Sequence, residues 1–206
     1  MRKLSRVPLA AGLLALFFLG AGCASHEVKA LSPEPLSTYQ LRQTVFDVDV
    51  AASPLTTKAD CERVFTVDLT EQGFAPILLV MENRSGDNIL VRRDEIELTD
   101  SRGNPHKPTP SEVMVEKFEH NKMSYAVFGF GLLSYMSADE ANKKMRQDWG
   151  SKELPGEKIL LPNRKAYGVV YFDMGQGLSA FPNSNLAVLL ENLRNGEKRS
   201  VTFRMP

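Results

Sequence analysis

The chain is poor in the residues that build covalent staples and many catalytic centres. Its 206 residues include two cysteines, three histidines and one tryptophan. Cys23 and Cys61 allow at most one internal disulfide, which excludes a disulfide-stapled scaffold. His26, His106 and His120 form no i, i+4 pair of the kind a helical metal site uses, so no metal is expected and they read as solvated residues of the tether and loops. Charge of one sign is missing too: 25 basic residues face 25 acidic ones. A nucleic-acid partner needs a concentrated basic face, so none is expected. GxSxG, Walker, Rossmann and HExxH patterns are absent, so no cofactor is expected and the chain reads as a non-enzyme. Asp100-Ser101-Arg102-Gly103-Asn104 lacks the alternating acids and distal Glu of a calcium loop and reads as a turn. Arg92, Arg93, Asp94, Glu95 and Glu97 mix both charges in the manner of a solvated strand edge.

What the chain does have is a patterned start. Arg2, Lys3 and Arg6 precede the apolar run Leu13–Leu19, and Gly20-Ala21-Gly22 lead to Cys23. A basic segment, an apolar segment and small residues make a secretory signal over residues 1–22. With a cysteine straight after those small residues, the segment resembles a bacterial lipoprotein signal. That resemblance implies cleavage before Cys23, a diacylglyceryl thioether on its sulfur and an acylated N-terminus. Leu19 stands four residues before the cysteine, one further than the usual pattern. Two other readings stay open: an uncleaved anchor, for which the run is short, and an ordinary signal peptide with Cys23 a plain thiol. Without residues 1–22 the chain keeps three more acids than bases. If Cys23 carries lipid, Cys61 has no partner within the chain and reads as a structural thiol, one half of an intermolecular bond or a redox residue. Ala24 occupies the place where an Asp would resemble an inner-membrane retention signal, which favours the outer membrane and its periplasmic face.

Residues 23–40, with Pro33 and Pro35, read as a flexible tether. The domain is expected over 41–206. Phe46, Val48 and Val50 alternate with Asp47 and Asp49, and Phe65, Val67 and Leu69 repeat the period of a half-buried strand. Ile77–Met81 is continuously apolar, as a central strand would be. Further strands are expected at Ile89–Val91, Ile96–Leu98, Ala166–Phe172, Leu186–Leu190 and Ser200–Phe203, with an Asn195-Gly196 hairpin turn before the last. Such spacing predicts a mainly β fold, an antiparallel immunoglobulin-like β-sandwich. Residues 105–165 are poor in strand signals and predict a helical insertion at about 111–150. One helix runs from Ser111 to Phe118. A second spans 137–149, with Ser137 and Glu140 as a capping box and Gly150 as its stop.

Met123–Ala138 carries no formal charge. Tyr125, Phe128, Phe130, Tyr135 and Met136 offer aromatic and soft contacts, and Gly129 and Gly131 admit a close backbone. Three readings stay open for this stretch: ordinary core, contact with an envelope protein or a second copy, and insertion into the membrane beside the anchor.

Glu82-Asn83 and Phe172-Asp173 recur at strand ends. With the helical insertion and the strand Gly168-Val169-Val170-Tyr171-Phe172, they make residues 60–205 similar to uncharacterised proteobacterial envelope lipoproteins. The resemblance brings no activity with it. The resulting expectation is an outer-membrane-anchored periplasmic lipoprotein acting as a non-catalytic binding or scaffold module. Its rivals are a cell-wall or lipid hydrolase with a loop-built site and an accessory component of a secretion or export machine.

Overall fold

The computed structural model describes residues 29–65, 67–120 and 138–206. Strand β1 (Leu41–Val45) turns through Phe46 and Asp47 into β2 (Val48–Pro54). Both turn residues have positive φ, 51° and 57°, the geometry that lets a two-residue loop match the twist of its strands. The alternation over 44–50 therefore crosses two strands and their turn. Phe46 copies a strand position because it packs against the core, and the Arg199 guanidinium lies 4.7 Å from its ring centre.

Helix α1 (Lys58–Phe65) follows. The Thr57 hydroxyl accepts the Asp60 backbone N–H at 3.1 Å and donates to the Asp60 carboxylate at 2.6 Å, closing the helix start. The strand expected through Phe65, Val67 and Leu69 does not form. Phe65 ends α1, while Val67 and Leu69 lie in the connection to a short 3-10 turn at Thr70–Gln72. All three side chains are buried, so the alternation records burial and not extended backbone.

Strand β3 (Phe74–Asn83) is apolar on both faces for a visible reason. Ala75, Ile77, Leu79 and Met81 enter one core, and Phe74, Leu78 and Val80 enter another. The remaining strands are β4 (Ile89–Arg92), β5 (Glu97–Thr99), β6 (Pro105–His106), β7 (Glu157–Leu160), β8 (Arg164–Asp173), β9 (Asn185–Asn192) and β10 (Lys198–Arg204). The protein is mainly antiparallel β. One sheet has the order β1-β2-β3-β8, and the other β6-β5-β9-β4-β7 with β10 also on β9. β4 and β5 share one edge of β9 end to end, pairing with residues 190–192 and 185–187, while β10 covers its other edge. Gly196 has φ 71° in the β9–β10 hairpin, as the Asn195-Gly196 pair leads one to expect. Near the outer strands β1 and β10, the Gln43 side-chain amide donates to the Thr202 carbonyl.

Helices α2 (Ser111–His120) and α3 (Ala138–Lys152) pack against each other. α3 passes through Gly150, so the expected stop at that glycine is corrected. The Glu153 amide still donates to the Trp149 carbonyl at 3.0 Å, and Pro155 lies just beyond. β6 and β7 also lie within 105–165, so that region is not wholly helical.

Two cores result. The first joins the facing sides of both sheets, for example Val50, Ile77 and Val170 with Val91, Val188 and Phe203. The second joins the other side of the β1-β2-β3-β8 sheet to the helices: Ala51, Leu78, Val169 and Tyr171 meet Cys61, Phe65, Met114, Met145 and Trp149. The described part of the expected tether belongs to this second core. Leu36 is buried in it, Leu31 and Tyr39 pack on it, and the Lys29 ammonium donates to the Glu62 carbonyl on α1 at 2.9 Å. From Leu31 onward, that segment is a docked strap and not free chain.

Candidate functional site

The helical layer over β3 and β8 holds much of the buried ionic chemistry among the described residues. Lys152 at the end of α3 and Asp148 one turn earlier are almost fully covered, with side chains 2% and 0% exposed and a separation of 2.6 Å. The same ammonium donates to the Val64 carbonyl at 2.7 Å and lies 5.5 Å from the centre of the Phe65 ring. Burial holds Lys152 below the ordinary lysine range, against the pull of Asp148. The pair ties the end of α3 to the end of α1.

Glu153 does the equivalent work for α2. Its carboxylate accepts the Ser111 backbone N–H at 3.2 Å and the Ser111 hydroxyl at 2.9 Å, and it pairs with Arg93 from the opposite side. A carboxylate at a helix N-terminus satisfies free amides and suits the helix dipole. Burial raises the Glu153 carboxyl above its ordinary range, although Ser111 and Arg93 favour the charged form. Arg93 is thus no solvated edge residue as its sequence context implies, since it also donates to the Leu154 carbonyl at 3.1 Å.

Arg92 is no solvated edge residue either: it ends β4, which lies between β9 and β7, and its half-buried side chain reaches Glu191 at 2.6 Å, Glu157 at 3.4 Å and Glu95 at 3.5 Å. Cys61 is fully buried and its thiol donates to the Leu55 carbonyl at 2.9 Å. Burial pushes that thiol up to about 12, which removes the thiolate that redox chemistry requires. The Tyr171 hydroxyl donates to the Trp149 carbonyl at 3.1 Å in the same core.

Two loops resolve into turns with their polar groups in use. The Asp100 carboxylate accepts the backbone N–H groups of Arg102 at 2.9 Å and Asn104 at 2.8 Å, and the Asn104 amide at 3.0 Å. Burial opposes its ionisation. Hydrogen bonds from Asn104, His106 and Arg102 nevertheless hold it well below the ordinary carboxylate range. His106 lies on strand β6 with Nε2 3.4 Å from Asp100, so it is not the solvated loop residue expected. Asn83 binds its own turn, accepting the Ser85 N–H at 2.9 Å and donating to the carbonyls of Asp87 and Leu160 at 2.8 Å each.

The candidate lipidation residue Cys23 lies outside the described residues. So do the candidate contact residues Tyr125, Phe128, Gly129, Phe130, Gly131, Tyr135 and Met136. The chain flanking that stretch is placed: α2 leads to it and α3 leaves it, both in the helical layer. Among the described residues no helix is long and apolar enough to cross a membrane, and no group of His, Cys, Asp and Glu is set to hold a metal. The sequence reading missed the buried Asp148–Lys152 and Ser111–Glu153–Arg93 arrangements. Only the i, i+4 spacing of Asp148 and Lys152 signals either one, and that spacing is common on exposed helices.

No known protein family matches the chain, and no curated protein does either. Solved structures with similarity along most of its length include a functionally unknown protein from Listeria monocytogenes EGD-e, at 10% identity over 81% of this chain and 82% of that one, with a TM-score of 0.41. The yjhA protein from Bacillus subtilis is 10% identical over 82% of this chain and 98% of its own, with a TM-score of 0.42. A protein described as ApaA, from Bordetella pertussis, is 11% identical over the same shares, with a TM-score of 0.33. Likeness at this level carries neither a fold family nor a function across.

Proposed function

We propose that the chain is a periplasm-facing outer-membrane lipoprotein whose domain, an immunoglobulin-like β-sandwich with a helical insertion, serves as a non-catalytic binding or scaffold module. The observation that carries this reading is the run of basic, apolar and small residues that ends at Cys23. The folded part supports it in a second way. The buried ionisable groups Asp148, Lys152 and Glu153 are committed to joining helices, and Asp100 to shaping a turn. Each has its polar partners within the fold, as structural groups do. The contact surface in this reading is the uncharged stretch 123–136. It offers Tyr125, Phe128, Gly129, Phe130, Gly131, Tyr135 and Met136 to an envelope protein, to a second copy or to the bilayer itself.

Fractionation of cells carrying Cys23→Ser tests the anchor. The variant is expected in the soluble periplasmic fraction; retention on washed membranes would overturn lipidation as the anchor. Phe128→Asp with Phe130→Asp tests the contact surface, since loss of a crosslinked partner with the circular dichroism and melting temperature unchanged is the expected result. Collapse of the fold would place these rings in the core, where unpaired carboxylates are strongly unfavourable.

A further inference from the structure

The strap at residues 29–39 fixes where the chain enters the domain. Lys29 reaches α1 through the Glu62 carbonyl, and Leu31, Leu36 and Tyr39 pack into the helical core. Five residues, and so six steps of the chain, separate Lys29 from Cys23. Fully extended, they span at most about 20 Å. The helices cover one side of the β1-β2-β3-β8 sheet, and the second sheet packs on the other. With layers about 10 Å apart, the outer side of the β9–β10 sheet lies about 20 Å beyond the helices. Turning that side to a bilayer would demand a taut chain running the full depth of the domain. Turning the helices to it leaves the chain slack, and slack is favoured by entropy.

We infer that the helical layer is the face that lies against a phospholipid surface, namely the bilayer holding the Cys23 acyl chains, with the outer side of the β9–β10 sheet turned away from it. This rests on the lipid-anchor reading above. The layer exposes charges of both signs, Lys143, Lys144 and Arg146 on α3 with Glu62 on α1 and Glu112 and Glu116 on α2, and only the basic ones are drawn to an anionic leaflet, so the placement rests on the chain length and not on charge. The opposite side of the molecule carries the self-compensated ladder of Arg92, Glu95, Glu191 and Lys198. The anchor thus sets which surface faces the membrane and which faces the periplasm.

The test uses the lipidated full-length protein bound to vesicles of phosphatidylethanolamine and phosphatidylglycerol that contain a headgroup spin-labelled lipid. A fluorescent thiol probe is placed at Ala59→Cys on α1 or at Ser200→Cys on β10, both exposed positions. Cys61 is buried, so the unsubstituted protein is the labelling blank. The expected result is loss of emission at position 59 and unchanged emission at 200. A long Gly-Ser insertion between His26 and Glu27 should restore emission at 59 while the protein still floats with vesicles. Equal quenching at both sites, or stronger quenching at 200, in protein that floats would overturn the orientation alone. Failure of the unmodified protein to float would overturn the lipid-anchor reading, and the orientation with it.

Discussion

The Lys152 ammonium donates to the Val64 carbonyl at 2.7 Å, so the last turn of α3 closes over the last turn of α1. Asp148 supplies the compensating charge in a site closed to water. Removing one partner of a buried pair leaves the other charge stranded, at a cost of about 3–5 kcal/mol. Lys152→Met is expected to lower the unfolding free energy, read from urea titrations, by an amount in that range. Adding Asp148→Asn to it should recover part of the loss; a double variant no more stable than Lys152→Met would show that the two charges are not coupled.

Gly168 on β8 faces the chain just after α3. A β-carbon there would lie 2.6 Å from the Leu154 α-carbon, where the Leu154 amide donates to the Val169 carbonyl at 2.9 Å. Backbone has little room to yield. Gly168→Ala should cost about 1–3 kcal/mol, the usual range for overpacking. An unfolding midpoint equal to that of the parent protein would show that the segment after α3 moves freely.

Cys61 is expected to resist alkylation at neutral pH, because its thiol is buried and pushed up to about 12. Its reaction with iodoacetamide, followed by mass spectrometry, should become rapid only in guanidinium. Modification in the native state at the rate of an exposed thiol would refute the assignment.

Asp100 gives the turn after β5 a pH dependence whose sign can be worked out. Its carboxyl lies well below the ordinary value of 3.8 in the folded protein. A depressed carboxyl stabilises the fold above the unfolded value, and that contribution is lost as pH falls through the folded one. Asp100→Asn should therefore be less stable than the parent at pH 7, with the gap narrowing below about pH 4. Thermal melts of both proteins across that range check the trend; a gap that widens in acid would contradict it.

The sequence spoke most clearly where local chemistry and burial agree. Ile77–Met81 announces a strand covered on both sides, and Asn195-Gly196 a hairpin, because each pattern has few other uses. It misled where burial imitates an element. Val67 and Leu69 alternate without extended backbone, and Phe46 hides a hairpin turn by packing its ring. Gly150 has the place of a helix stop, but contacts beyond it carry α3 to Lys152, a tertiary preference no local window contains. The helical layer was legible only in outline for the same reason. Glu153 meets Ser111 and Arg93 across 42 and 60 residues, and spacing along the chain does not encode such meetings.

Strand β9 has a consequence for the order of assembly. β4 and β5 both take their place along residues 185–192, and the pairing of Ile89 with Asn192 closes about a hundred residues of chain. Until the final hairpin arrives, β4 and β5 have no common neighbour, and the inward side chains of their sheet have nothing to align them. Such distant pairings are slow to form. The β1-β2-β3-β8 sheet needs nothing beyond β8, so it is the second sheet whose closure waits for the last two strands of the chain.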